Sequence, residues 1–216
     1  MARLLILMLA AASIAFVVQT AMSERDRMAL APVLDALEKG EVSAAGLAPL
    51  GPVLDRHAGD CDATFRRAAS MRAVAEAAPD KAAAGIETVK AELRCSPMAV
   101  DAWLDLAILE DRAGDREAEI ARHLDLSYRY GPREARLAAR RVLFACERGG
   151  VLDARAVDDF RGAIESGLAG EAADAYRACG IDARIGLDVA LADLAADSQI
   201  AFARALAAEG GEEGVR

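Results

Sequence analysis

Four cysteines, Cys61, Cys95, Cys146 and Cys179, and two histidines, His57 and His123, are the side chains best suited to nucleophilic or metal chemistry in this 216-residue chain. A thiolate activated by an imidazole makes a nucleophile, and Cys61 with His57 is the sharpest pairing of that kind the sequence offers. No two cysteines are spaced as Cys-x-x-Cys, so zinc or thioredoxin-like chemistry has no spacing to rest on. A Gly-x-Ser-x-Gly elbow, a His-Glu-x-x-His pair and a phosphate loop are also missing from the sequence. The pattern implies no catalytic residue, no cofactor and no metal, and therefore a protein that is not an enzyme.

An even number of cysteines outside the cytoplasm reads instead as a disulfide framework, with buried free thiols as the plainer alternative. Cys61 and Cys95 flank a turn expected at Pro79 symmetrically: 17 positions separate Cys61 from Ala78, and 17 more reach Cys95. In an antiparallel helix hairpin the start of the first helix lies beside the end of the second, so these two cysteines are expected to bond. Cys146 and Cys179 end the first and third helices of the next trio, which run parallel if the turns are tight, so they too are expected to meet.

Arg129, Arg133, Arg136 and Arg140 recur at spacings of four, three and four. On a shared face they would grip carboxylates or phosphates through paired donors, which makes them the candidate interaction patch. The plainer reading is a solvated face that neutralises Asp125, Glu134 and other acids. Asp158 and Asp159 are adjacent on a helix, so their carboxylates point apart and suit solubility better than acid–base work. His57, in a glycine-rich stretch, is expected to be solvated.

The elements that must position these residues begin with a leader. Arg3 precedes fifteen apolar or small residues, Leu4 to Val18, the pattern that enters a secretion channel. Ala21-Met22-Ser23 is a small-x-small cleavage site, while extension through Met22 makes 19 mostly apolar residues, just enough to span a bilayer. Residues 1–22 therefore read as a signal peptide or membrane anchor, with the balance towards an uncleaved anchor in the inner membrane through residues 4–22. Arg3 on the cytoplasmic side places the body outside, at the periplasmic face of that membrane, or free in the periplasm if the leader is removed.

Net charge is −9, and Arg3 is the only charged residue among the first 22, so the remainder carries −10. Phosphate-rich nucleic acid is disfavoured as a partner by that sign. Aromatics make up only 4%, alanine is abundant and β-branched residues form no alternating runs, which predicts an all-α fold.

Residues 23–58 read as a tether with short helices, opened by Ser23 as a cap, broken or kinked at Pro32 and punctuated by Gly46, Pro49, Gly51 and Pro52. Residues 59–207 read as the folded body. Asp60 is expected to cap a helix to about residue 78, Asp80 the next, and Ser96-Pro97 to start a third carrying the stripe Val100, Trp103, Leu104, Ala107 and Ile108. Trp103 is expected to be a core residue packed on the following helix, where Ile120, Leu124, Ser127 and Tyr128 repeat the spacing. Further helices are expected at 132–147, 153–166, 171–179, 187–195 and 197–207, with a disordered tail at 208–216. Helix pairs joined by short turns describe a solenoid or a compact helical bundle.

Trp103, Leu106, Ala107, Gly114-Asp115 and Pro132 resemble one tetratricopeptide repeat, over 97–132. A longer stretch, Cys61 to Phe144, carries Leu93-Arg94-Cys95-Ser96-Pro97, Ala102-Trp103-Leu104, Leu126 to Pro132 and Arg140-Arg141, and resembles an uncharacterised group of alphaproteobacterial envelope proteins. Membership of that group implies association with surface-polysaccharide assembly. The expectation from residues and resemblance together is an extracytoplasmic helical-repeat scaffold or adaptor that binds another envelope protein or complex. Contact with polysaccharide itself has no motif behind it. An envelope glycan-modifying enzyme and a periplasmic ligand-binding protein are the alternatives; the first needs converging acids and the second a closed apolar cavity.

Overall fold

The computed structural model describes residues 2–38, 49–114, 117–149 and 152–208, with the side chains of 2–7, 10 and 38 left aside. Every regular element among the described residues is a helix. The chain divides into two compact units, 1–130 and 131–216. The tail at 209–216, Gly46 within the expected tether and Asp115 within the repeat-like motif lie outside the described residues.

The first unit opens with α1 (Ala2–Glu38), which runs unbroken through Ser23 and Pro32. Pro32 lacks an amide hydrogen and crowds the preceding turn, so a break was the local expectation. Burial overrides it: Leu30 is 1% exposed, and Val33, Leu34 and Leu37 lie with it against Leu50, Leu54, Phe65 and Ala68. The second half of α1 is thus part of a core, not a tether. Ahead of it, Leu9, Ile14, Phe16 and Val17 are all at least 60% exposed. Among the described residues no helix is long and apolar enough to cross a membrane, and the side chains of Leu4 to Leu7 lie outside that description.

A short α2 (Gly51–Arg56) leads into α3 (Ala63–Ala75), α4 (Pro79–Cys95), α5 (Val100–Ala113) and α6 (Glu117–Tyr130). Successive helices pack on one another, and α3 also touches α5. The cap of α3 is Asp62, not Asp60: its Oδ1 accepts from the amides of Thr64 at 2.9 Å and Phe65 at 3.4 Å. Pro79 takes the first position of α4, where its missing donor costs nothing. Ser96 closes α4 instead of opening the next helix, which begins at Val100.

Helix α5 is buried nearly all round, at Ala102, Leu104, Leu106, Ala107 and Leu109, because neighbours flank it on several sides. Gly85 of α4 permits the approach of Leu109, since a Cβ there would sit 3.0 Å from Leu109 Cδ2. Gly114 ends α5 at φ 74°, in the left-handed region where L-residues are strained.

The second unit contains α7 (Ala135–Glu147), α8 (Ala154–Glu165), α9 (Ala169–Ala178), α10 (Ile181–Ala192) and α11 (Ala196–Ala208). Helix α10 starts six residues before the expected 187. Alanines at 138, 139, 163, 172, 173 and 175 let these helices approach closely around Phe160 and Phe202, whose rings meet edge-on at 5.5 Å.

Candidate functional site

In the first unit, α2, α3 and α4 enclose a groove of about 510 Å³. Ala69 and Ala73 of α3 and Ala84 and Ala91 of α4 contribute methyl groups to its lining, and they lie where a turn-by-turn repeat puts small residues on one face. Its rim is charged and mixed: Arg66, Arg72 and Lys81 stand with Asp55, Glu76 and Glu87. Arg72 donates to Glu76 at 2.8 Å and Arg66 to the carbonyl of Asp60 at 2.7 Å, so both guanidinium groups are oriented before any ligand arrives. Gly51 leaves room for that arrangement, because a Cβ there would lie 3.2 Å from Arg72 Nη1. A lining of methyls together with charges of both signs fits a segment of polypeptide with small apolar side chains and polar flanks better than an ion of one charge.

A polar corner fastens α1 to the rest of this unit. Asp26 accepts from Arg56 at 2.9 Å and contacts His57 Nε2 at 3.1 Å, while His57 Nδ1 meets Asp60 at 2.7 Å. The imidazole lies flat on Phe65, with ring centroids 3.7 Å apart. Arg27 binds both Glu24 and Asp62. Desolvation opposes a charge on His57, but hydrogen bonds and attraction from Asp60 and Asp26 outweigh it and raise its pKa above 6.5. Hydrogen bonds from Arg56 and then His57 lower that of Asp26. Beside this corner Phe16, Thr20 and Glu24 of α1 border a second open hollow, of about 640 Å³.

A charged cluster lies between α3, α4 and α5. Arg67 donates to Asp105 at 2.5 Å and to Asp101 at 3.2 Å, and Asp105 is 0% exposed. Burial works against the charge on Arg67, yet Asp105, Asp101 and Glu92 hold its pKa above the ordinary arginine value. Burial also disfavours the charge on Glu92 and raises its pKa towards the neutral form, with Asp105 and Asp101 adding to the rise against the pull of Ser70 and Arg67. Such a cluster fixes the register of three helices; its atoms face each other rather than the groove.

The structure bonds Cys61 to Cys95, with Cα atoms 5.4 Å apart, and Cys146 to Cys179, at 4.5 Å. The first bridge closes the open end of the α3–α4 hairpin; the second ties the end of α7 to the end of α9. Cys61 therefore offers no thiolate to His57, and His57 is engaged on both ring nitrogens instead of being solvated.

His123 is also held, its Nδ1 2.6 Å from Glu110, and its ring stacks on Trp103 at 5.6 Å. Trp103 packs on α6 through His123 and Tyr130, but it is half-buried, not a core residue, and its indole donates to the carbonyl of Pro97 at 2.9 Å. Asp158 is exposed and Asp159 buried, which is the divergence their adjacency implies.

The four arginines of the expected patch fall on both sides of the boundary between the units. Arg129, near the end of α6, donates to Asp125 at 3.4 Å; Arg133 is an exposed turn residue, and Arg136 and Arg140 belong to α7. Within the second unit the buried arginine is Arg141, 1% exposed, 3.6 Å from Asp159 and donating to the carbonyl of Gly131 at 2.9 Å. Its place on the buried face, in step with Leu137 and Ala138, is the one signal the sequence carried for it. Among the described residues no group of three His, Cys, Asp or Glu side chains is arranged to hold a metal ion. No family model, curated protein or solved structure matches this chain.

Proposed function

We propose that the chain is an extracytoplasmic helical adaptor that binds another envelope protein, in polysaccharide assembly or export as the family resemblance implies. The observation that carries the reading is a disulfide in each compact unit. Such bridges persist where the compartment is oxidising, and the leader Leu4 to Val18 delivers the body there. Exposure of the apolar side chains from Ile14 to Val18 supports a role for this end of α1 in or at the inner membrane. The stacking of α3 to α6 in sequence order, with α3 on α5, supports the tetratricopeptide-like repeat.

The binding surface is the groove between α2, α3 and α4, whose open form suits a polypeptide segment where a small-ligand protein would enclose its guest. A photo-crosslinking residue at Ala84 in the groove, in cells, gives a discrete adduct with an envelope protein; the same residue at exposed Ala83, outside it, does not. Alkylation before reduction finds all four thiols blocked in native protein. Free thiols sink the compartment, and a smear common to both crosslinking positions sinks the groove.

A further inference from the structure

Helix α10 is apolar on two opposite faces. Ala183, Leu187 and Ala190 are buried, while Ile181, Ile185 and Val189 stand 80, 59 and 64% exposed. Lone exposed aliphatic residues are ordinary, but these follow at i, i+4 and i+8, so they make one continuous ridge. Exposed Ala192 continues it towards the end of the helix.

The borders of the ridge are acidic. At 3.6 residues per turn, Asp182 and Asp188 lie about 60° to either side of Ile185, and both are exposed. The one cation of α10, Arg184, is engaged: it donates to the carbonyls of Tyr176 at 3.0 Å and Arg177 at 2.6 Å, with its guanidinium over the Tyr176 ring. Asp188 accepts from the Tyr176 hydroxyl at 2.8 Å, so on that border the carboxylate is already anchored, while Asp182 is exposed. Beyond Ala192, Asp193 is paired with Arg161 at 3.6 Å.

We propose that this face of α10 docks an amphipathic helix of another protein, one whose aliphatic ridge is flanked by lysine or arginine. Two ridges of i±4 spacing interdigitate in the commonest helix-crossing class, and basic flanks would meet Asp182 and Asp188. A second copy of this chain is the poorer occupant, because it brings carboxylates to carboxylates on a molecule of net charge −9. The inference is independent of the groove in the first unit.

The test uses the full chain and a synthetic helix of leucine and lysine at amphipathic spacing, with a leucine–glutamate helix of the same pattern as control. The leucine–lysine peptide binds saturably and the control does not. Ile185→Ser weakens binding about tenfold or more. Asp182→Asn with Asp188→Asn weakens it about threefold and flattens its salt dependence. Circular dichroism and melting of the variants match the parent, since the altered side chains are exposed; Ile181→Ser, at the most exposed position, repeats the test if Ile185→Ser misfolds. Undiminished binding by the serine variant means general attraction to an acidic protein and overturns the proposal. Equal binding of the control peptide overturns it as well. So does a dimer of the unliganded chain, seen by sedimentation, that Ile185→Ser dissolves, which assigns the ridge to a second copy.

Discussion

Removing the Cys61–Cys95 bridge by Cys61→Ala with Cys95→Ala tests the energetic basis of the first unit. The bridge spans 34 positions, and a closed loop of that size removes about 3.7 kcal/mol of chain entropy from the unfolded state at 25 °C. Cys61 is exposed and Cys95 half-buried, so truncating the sulfurs sacrifices little packing and the loss is nearly all entropic. Trp103 is the only tryptophan and lies in this unit, so its fluorescence reports unfolding here. With a urea m-value of about 2 kcal/mol/M, the Trp103 transition moves down by about 2 M. A shift under about 0.5 M with an unchanged m-value would refute the reasoning, because it would mean that the cross-link does not restrict the unfolded chain. The bridge in the second unit spans 33 positions but joins cysteines that are each 4% exposed, so its removal costs the same entropy and packing besides.

Arg67→Leu leaves Asp105 buried among other acids and destabilises the first unit by about 3–5 kcal/mol; adding Asp105→Leu restores much of that, which a double-mutant cycle in urea reads directly. His57 has its pKa raised above 6.5 in the folded state, so its fastening of α1 is complete below 6.5 and fades as pH climbs through the raised value. Asp26, lowered from 3.8, contributes above that value and is lost only on acidification. The Trp103 urea midpoint therefore falls as pH rises above 6.5, and in His57→Gln this slope flattens. Gly114→Ala, at φ 74° with nothing within 4 Å of the new methyl, costs about 1–2 kcal/mol in thermal unfolding from backbone strain alone.

What was legible in the sequence was periodic or symmetric. The equal spacing of Cys61 and Cys95 about Ala78 placed one bridge, and the helix lengths after Pro132 placed the other. Boundaries were harder, because one residue type serves two ends: Ser96 reads as a cap for a following helix but closes α4. The start of α10 at Ile181 is hidden in the sequence, since apolar residues on both of its faces blur the periodicity that marks a helix start. The surroundings of His57 were invisible locally, because Asp26 comes from 31 positions away and Phe65 from the next helix. Long-range burial likewise decided Pro32, whose local signal to break the helix lost to four aliphatic contacts.

The unbroken course of α1 also decides how force reaches the body. From Ala2 to Asp26 the helix extends about 36 Å, at 1.5 Å per residue. A flexible cord of that many residues would absorb a tug at its far end. A rod instead carries it along its axis to Asp26, bonded to Arg56 and His57, and to Leu30, where the helix joins the core. A displacement of Asp26 is therefore met first by Arg56 and His57, and through the stacked imidazole by Phe65.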